Sequence, residues 1–212
     1  MTKPVIILAN GRFPESDLPL GYLESADYIV CCDGSVTSLV DYGLEPWAIA
    51  GDLDSVPSVL KKKYQDRLFL SDDQETNDLT KAVHFCLTRG VNDIIILGAT
   101  GLREDHTIGN ISLLADYAES LSVKMVTDNG IFIPVQAGSR ISSWPGQQVS
   151  VFAIDRAMRI SSSGLKYPLK DTELDNWWMG TLNEATGDFF TLYFSEGRVI
   201  AFLEISSPKN KV

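Results

Sequence analysis

Four acidic clusters follow the ends of successive apolar runs in the first half of the chain. They are Asp33 in CCDGS, Asp52 and Asp54 in AGDLDS, Asp73 to Asp78 in DQETND, and Asp105 in GATGLREDH. One carboxylate pair is an ordinary loop. Four clusters at equivalent points of a repeating β/α pattern predict one shared rim, and in open α/β sheets ligands bind at that rim. So many carboxylates together call for a cation, and hard oxygen ligands suit magnesium.

Each cluster also has a local reading. In AGDLDS, Asp52 and Asp54 lie two apart after an apolar run; an extended segment would point both at one cation. The alternative is a Gly51-Asp52 turn with Asp54 or Ser55 capping the next helix. In DDQETNDLTKAV, Thr76 or Asn77 can cap a helix whose first turn carries Asp78. Asp78 and Lys81, three apart, share one flank and can hold metal and phosphate together. Asp72 and Glu75 read as solvated charge. In GATGLREDHTIGN the glycines allow close backbone approach, and Arg103 offers a bidentate fork for phosphate. Asp105 either caps the helix or binds metal. His106 is left open between packing and chemistry, and His84 reads as structural. Asp33-Gly34 is a turn, a helix start, or a contact to ribose or base.

Short apolar runs at 4–9, 27–32, 46–50, 67–70, 93–97 and 123–127 predict six strands. Helices are expected at 35–42, 56–64, 77–89 and 105–120. The third of these should bury Leu79, Ala82, Val83, Cys86 and Leu87, and the fourth Ile108, Ile111, Leu114, Ala115 and Ala118. Continuously apolar strands alternating with helices describe a mostly parallel sheet covered on both faces. The pattern changes near 128–138. Alternating runs at 130–135, 147–154, 157–162, 189–195 and 198–205, punctuated by glycines, predict an all-β sandwich or barrel. The expected organisation is an α/β domain over 1–130 and a β-sandwich domain over 131–212, with a frayed polar tail, SSPKNKV.

The whole chain has 212 residues and a net charge of −10. That balance argues against nucleic acid as a partner, since phosphate backbones demand basic patches. It leaves room for a small anion, because a metal reverses the local field. Three cysteines without metal-ligand spacing fit buried free thiols in a reducing, cytoplasmic setting. The apolar run Val5 to Ala9 is too short for a signal peptide or a membrane span.

The ordered set CDGS, GDLDS, DQETNDLTKA, GATGLREDH, SSGLKYPL and GTLNEATGD resembles the thiamine pyrophosphokinase family over roughly residues 28–203. The resemblance implies an N-terminal α/β domain, a C-terminal β-sandwich and a homodimer with active sites between subunits. It also implies transfer of pyrophosphate from ATP to the thiamine hydroxyl, releasing AMP. On this resemblance Asp52, Asp54, Asp78 and Asp105 serve catalysis, Mg2+ and the ATP phosphates. Asp33, Gly34, Gln74, Thr76, Lys81 and Arg103 serve the nucleotide. Tyr167 corresponds to an aromatic position against the thiamine ring, with Ser163 and Asn183 as polar contacts; the second domain would supply the thiamine site and dimer contacts.

The chain departs from the family pattern where the helix motif usually reads Thr-Asp at its start and here reads Thr76-Asn77-Asp78, which removes one charge, and at Leu102 and Leu182, which stand where the family usually has glycine and serine. Trp177 and Trp178 complete an aromatic wall, or pack in the core or a subunit interface. Two competing readings stay open: an Mg-nucleotide phosphotransferase with another alcohol acceptor, and a non-catalytic ligand sensor. The set Asp52, Asp54, Asp78, Lys81, Arg103 and Asp105 speaks against the sensor.

Overall fold

A computed structural model describes residues 3–155 and 157–205; the polar tail at 206–212 lies outside them. The chain divides into two compact units, 1–128 and 129–212.

In the first unit the runs VIIL, IVCC, AIAG, LFL, DIIIL and SVKMV form β1 (Val5–Leu8), β2 (Ile29–Cys32), β3 (Ala48–Gly51), β4 (Leu68–Leu70), β5 (Asp93–Leu97) and β6 (Ser122–Val126). They pair in parallel in the order β6-β5-β1-β2-β3-β4. Ile6 sits opposite both Ile29 and Ile95, so β1 is central. Its four residues are all buried, as a strand covered on both faces requires. The order reverses beside β1: the chain runs outward through β2, β3 and β4, then returns to β5 on β1's other side. This reversal is the switch point at which doubly wound sheets open a crevice.

Five helices join these strands: α1 (Asp17–Glu24), α2 (Ser35–Asp41), α3 (Ser58–Lys63), α4 (Asp78–Thr88) and α5 (Glu104–Tyr117). Sequence reading misses α1, because Pro19 and Gly21 obscure an eight-residue helix; Pro19 is tolerated in the first turn, where its missing N–H would have no partner. The buried face of α4 also differs from expectation. Phe85 is buried and Leu87 is 38% exposed. Phe85 stacks edge-on with Trp47 at 5.1 Å and Phe69 at 5.2 Å. Burying such a ring contributes about 1.5–3 kcal/mol. On α5 the core face is Leu114, Ala115 and Tyr117, while Ile108 and Ala118 are exposed.

The second unit is all antiparallel. Among the described residues its strands are β7 (Gly130–Val135), β8 (Arg140–Ser142), β9 (Gln148–Ala153), β10 (Arg159–Ser163), β11 (Thr172–Glu173), β12 (Asn183–Glu184), β13 (Phe189–Tyr193) and β14 (Val199–Glu204). One sheet runs β12-β9-β14-β7 and the other β11-β10-β13-β8. Along β9, Val149, Val151 and Ala153 turn inward while Gln148, Ser150 and Phe152 are more exposed. Those residues pack with Ile160, Phe190, Leu192, Val199, Ala201 and Leu203 into one core shared by both sheets. Sequence reading misses β8, β11 and β12, which are two or three residues long and too short to show a period.

Candidate active site

A cavity of about 440 Å³ opens at the carboxyl ends of the first unit's strands. Ala9, Asn10 and Gly11 line it after β1, Cys32 and Asp33 after β2, Asp52, Asp54 and Ser55 after β3, and Ala99 and Thr100 after β5. Asn77 and Asp78 reach it from the start of α4. Leu102, Arg103, His106, Thr107 and Asn110 reach it from α5 and its approach.

The backbone has to bend sharply to build this floor. A side chain at Gly11 would strike the Gly98 carbonyl and come within 2.7 Å of the Thr100 carbonyl, so the β1 and β5 loops touch only through glycine. At Gly51 a Cβ would stand 3.1 Å from both the Asp33 Cβ and Asp78 Oδ1. Three acidic motifs therefore converge on one residue that carries no side chain.

Asp33, Asp52 and Asp54 each bring a carboxylate oxygen within 4.8 Å of the others. They do not do so through an extended AGDLDS segment. Leu53 is left-handed at φ 65° with its side chain buried, and Asp54 N–H donates to Asp52 Oδ1 at 3.1 Å. The two aspartates meet across a turn. Asp33 is also left-handed, at φ 43°, and only 4% exposed. Non-glycine residues in that region cost of order 1–3 kcal/mol and concentrate at functional sites.

Asp33 is the electrostatic centre. Oδ2 accepts from Ser55 N–H at 3.2 Å, whereas Oδ1 is buried without a hydrogen-bond partner. Burial pushes its carboxyl up from the usual carboxylate range; the Ser55 N–H opposes this, and nearby Asp78 adds to it. The Ser55 hydroxyl, 2.9 Å from Asp54 Oδ1, instead holds Asp54 below that range. A buried carboxylate with one oxygen lacking a hydrogen-bond partner, grouped with two further carboxylates, fits a hard divalent cation.

Asp78 stands beside this trio in the first turn of α4. Lys81 Nζ lies 3.3 Å from Asp78 Oδ1, with the lysine side chain 5% exposed. Lys81 does not line the cavity; it lies beneath Asp78 as its counter-charge. Asn77 caps α4, accepting from Thr80 N–H at 2.9 Å.

The remaining residues singled out from the sequence divide by location. Arg103 lines the cavity and clasps Asp105 at 2.6 and 3.1 Å, on the surface. That guanidinium, helped by His106 N–H, lowers the Asp105 carboxyl to about 2. Asp105 itself is not among the lining residues and is not in the trio. Gly34 opens α2, packed against Asn10 and Ser55. Gln74 and Thr76 do not line the cavity. They fold the loop on itself, Gln74 Nε2 donating to the Asp72 carbonyl at 3.4 Å and the Thr76 hydroxyl to Asp73 Oδ2 at 2.8 Å.

Asn10, Gly11, Ser55, Thr100, Thr107 and Asn110 were not anticipated from the sequence. One signal was available: Arg103, His106, Thr107 and Asn110 follow i, i+3, i+4, i+7 spacing and form one polar helical face.

In the second unit Tyr167 is 60% exposed and Asn183 6%. Asn183 Oδ1 accepts from Tyr167 N–H at 3.1 Å, and its Nδ2 donates to the Tyr167 carbonyl at 2.7 Å. Ser163 is exposed, its hydroxyl 3.4 Å from that of Tyr193. Trp177 packs against Phe152 at 5.9 Å and donates to the Ala153 carbonyl, whereas Trp178 is 73% exposed.

Residues 20–126 match the family model for the catalytic domain of thiamin pyrophosphokinase, and residues 130–202 match that for its substrate-binding domain. Thiamin pyrophosphokinase 1 of Caenorhabditis elegans is 27% identical over 177 residues, spanning 76% of this chain and 72% of the relative. Thiamine pyrophosphokinase of Bacillus subtilis is 29% identical over 119 residues, 53% of this chain and 54% of the relative. Among solved structures, the Bacillus subtilis thiamine pyrophosphokinase superposes with a TM-score of 0.79 at 22% identity, covering 97% of this chain and 100% of that one. The Candida albicans thiamin pyrophosphokinase gives 0.77 at 20% identity, covering 96% and 90%. Fold and site define a doubly wound, acid-rimmed α/β unit coupled in sequence to an antiparallel β unit. The chain belongs to the thiamin pyrophosphokinase family.

Proposed function

We infer that this chain transfers the pyrophosphoryl group of ATP to the hydroxyl of thiamine, giving thiamine diphosphate and AMP. The observation that carries this reading is the carboxylate trio Asp33, Asp52 and Asp54 sharing one cavity with Arg103, in a chain whose two halves match the family's catalytic and substrate-binding models. The thiamine oxygen bonds to the β-phosphorus, the bond from that phosphorus to the bridging oxygen on the α-phosphate breaks, and the hydroxyl proton is released. The protein's work in such a transfer is positioning and charge neutralisation.

Asp33, Asp52 and Asp54 would hold Mg2+, with Asp78 alongside. The ion would supply positive charge to polyphosphate on a rim that otherwise repels it. Arg103 engages phosphate oxygens through its guanidinium fork, and the α5 face carrying His106, Thr107 and Asn110 offers polar contacts. Lys81 acts from beneath, offsetting the charge of Asp78. Gly34, Gln74 and Thr76 serve the nucleotide from the neighbouring loops, and Asp105 sets the orientation of Arg103. In the second unit Tyr167, with Ser163 and Asn183, contributes to the thiamine site. An exposed aromatic face suits the cationic thiazolium.

The protein works as a homodimer in this reading, and exposed Tyr167, Trp178 and Leu182 offer apolar surface for such an assembly. Among the described residues no helix is long and apolar enough to cross a membrane. Three buried free cysteines fit a cytoplasmic setting. The test is acceptor dependence. AMP release from Mg-ATP should require thiamine; AMP formed equally well without it, or ADP formed in its place, would overturn the reading.

A further inference from the structure

Two asparagines that line the cavity, the α4 cap Asn77 and Asn110 of α5, are hydrogen-bonded to each other. Asn77 Nδ2 donates to Asn110 Oδ1 at 3.2 Å, and Asn110 Nδ2 donates to the Ala99 carbonyl at 2.9 Å, in the loop after β5.

The amide orientations are fixed from both ends. Thr80 N–H can only donate, so Asn77 must present its oxygen there, at 2.9 Å. That leaves Nδ2 for Asn110. The Ala99 carbonyl can only accept, so Asn110 must present its nitrogen to it and its oxygen to Asn77. The Thr80 hydroxyl also donates to Asn77 Oδ1, at 2.9 Å, and lies 2.7 Å from the Tyr117 hydroxyl. A hydroxyl carries one proton, so Tyr117 is the donor in that last pair. Burial raises the Tyr117 hydroxyl well above its ordinary range, which keeps that proton in place.

The result is one directed chain: Tyr117 to Thr80 to the Asn77 oxygen, then the Asn77 nitrogen to Asn110 to Ala99. It ties α4, α5 and the loop after β5 together. Asp78 follows Asn77 directly, and Thr100, Leu102 and Arg103 follow Ala99 around the cavity.

We propose that the Asn77–Asn110 bridge is a positioning device that fixes the distance between the carboxylate side of the cavity, at Asp78, and its cationic side, at Arg103. The two asparagines act through Asp78 and the 99–103 loop. The proposal rests on the pyrophosphoryl-transfer reading for its effect on turnover, but not for the bridge itself. Asparagine is the residue that can cap α4 with an oxygen while donating to Asn110 with a nitrogen. Aspartate would keep the cap and lose the donor; serine would keep the cap and lose the reach.

The experiment therefore uses Asn77→Ser and Asn77→Asp, both good caps, with Asn110→Ala and the Asn77→Ser/Asn110→Ala double variant. Both Asn77 variants should fold, as shown by circular dichroism. Amide exchange at Thr100–Arg103 should quicken about fivefold, and kcat/KM for Mg-ATP should fall about tenfold, since small misplacements of reacting groups are costly. The thiamine KM should stay within about twofold, and the double variant should lose no more than about twofold beyond Asn110→Ala, because coupled residues are non-additive. Unchanged exchange in both Asn77 variants, or fully additive losses, would overturn the proposal. If the wild type makes no AMP from thiamine and ATP, the functional reading falls, and the exchange rates alone decide the bridge.

Discussion

Asn183 holds Tyr167 by its backbone: its side-chain oxygen receives the Tyr167 N–H at 3.1 Å and its nitrogen donates to the Tyr167 carbonyl at 2.7 Å. The amide is 6% exposed, while the Tyr167 ring it presents is 60% exposed. A buried amide closing both main-chain groups of one residue fixes the direction of that residue's side chain. On the proposed function, Asn183 would bear on thiamine through Tyr167.

Asn183→Ala should leave three main-chain groups, the Tyr167 N–H and carbonyl and the Glu184 N–H, without this partner, at about 1–3 kcal/mol each where they stay buried. In steady-state kinetics the thiamine KM should rise about tenfold with the ATP KM within about twofold. Tyr167→Ala in the same background should add little. A rise confined to the ATP constant would place Tyr167 in the other pocket.

Asp33 and Asp54 should separate stability from metal binding. The Asp33 carboxyl is raised by burial, so its ionised form destabilises the metal-free fold at neutral pH. Asp33→Asn removes that charge, and the metal-free melting temperature should rise. Protection by Mg2+ should disappear. Asp54→Asn, at an exposed position, should change the metal-free melting temperature little and reduce Mg-dependent turnover at least about a hundredfold. Calorimetric melting with and without Mg2+ checks both; equal loss of stability and turnover in Asp54→Asn would make that residue a turn former only.

The Arg103–Asp105 pair has its own pH window. Asp105 is lowered to about 2, chiefly by Arg103. A carboxyl depressed on folding contributes stability above its unfolded value, about 3.9, and loses it as pH falls towards 2. Between pH 5 and 9 this pair should give no pH dependence. Carboxyl-carbon NMR should place the Asp105 midpoint near 2 and move it up by more than one unit in Arg103→Gln. A wild-type midpoint near 4 would mean that the pair is not formed in solution.

Lys81→Met should behave unlike a surface charge removal. The ammonium is buried against Asp78, and methionine fills the volume but not the charge. Stability should fall by about 1–3 kcal/mol in urea melts, below the usual cost of breaking a buried pair because Asp78 is 36% exposed and can take up water. Turnover should fall with it. Full turnover in Lys81→Met would show that Asp78 needs no counter-charge.

The sequence exposed the sheet more clearly than the side-chain contacts. Short apolar runs ended by Gly, Asn or Asp mark the strands and their carboxyl ends, so the acidic rim is legible in the sequence alone. The way the aspartates meet is not. Leu53 adopts a left-handed turn, at φ 65°, that an extended reading of AGDLDS does not anticipate. By motif Asp105 groups with the metal carboxylates, yet Arg103, two residues away, donates to both its oxygens. Lys81 reads as a phosphate ligand by its spacing on α4; its burial against Asp78, at 5% exposure, is a tertiary feature that helical periodicity cannot reveal. The helical spacing of the 103–110 face points to Asn110, but its pairing with Asn77 has no sequence signal, because the two lie 33 residues apart.

The most direct measurement is quantitative phosphorus-31 NMR of wild-type protein incubated with thiamine, ATP and Mg2+. Thiamine diphosphate and AMP should accumulate in equal amounts, with no thiamine monophosphate and no ADP. Thiamine monophosphate with ADP would place the attack at the γ-phosphorus and contradict the account.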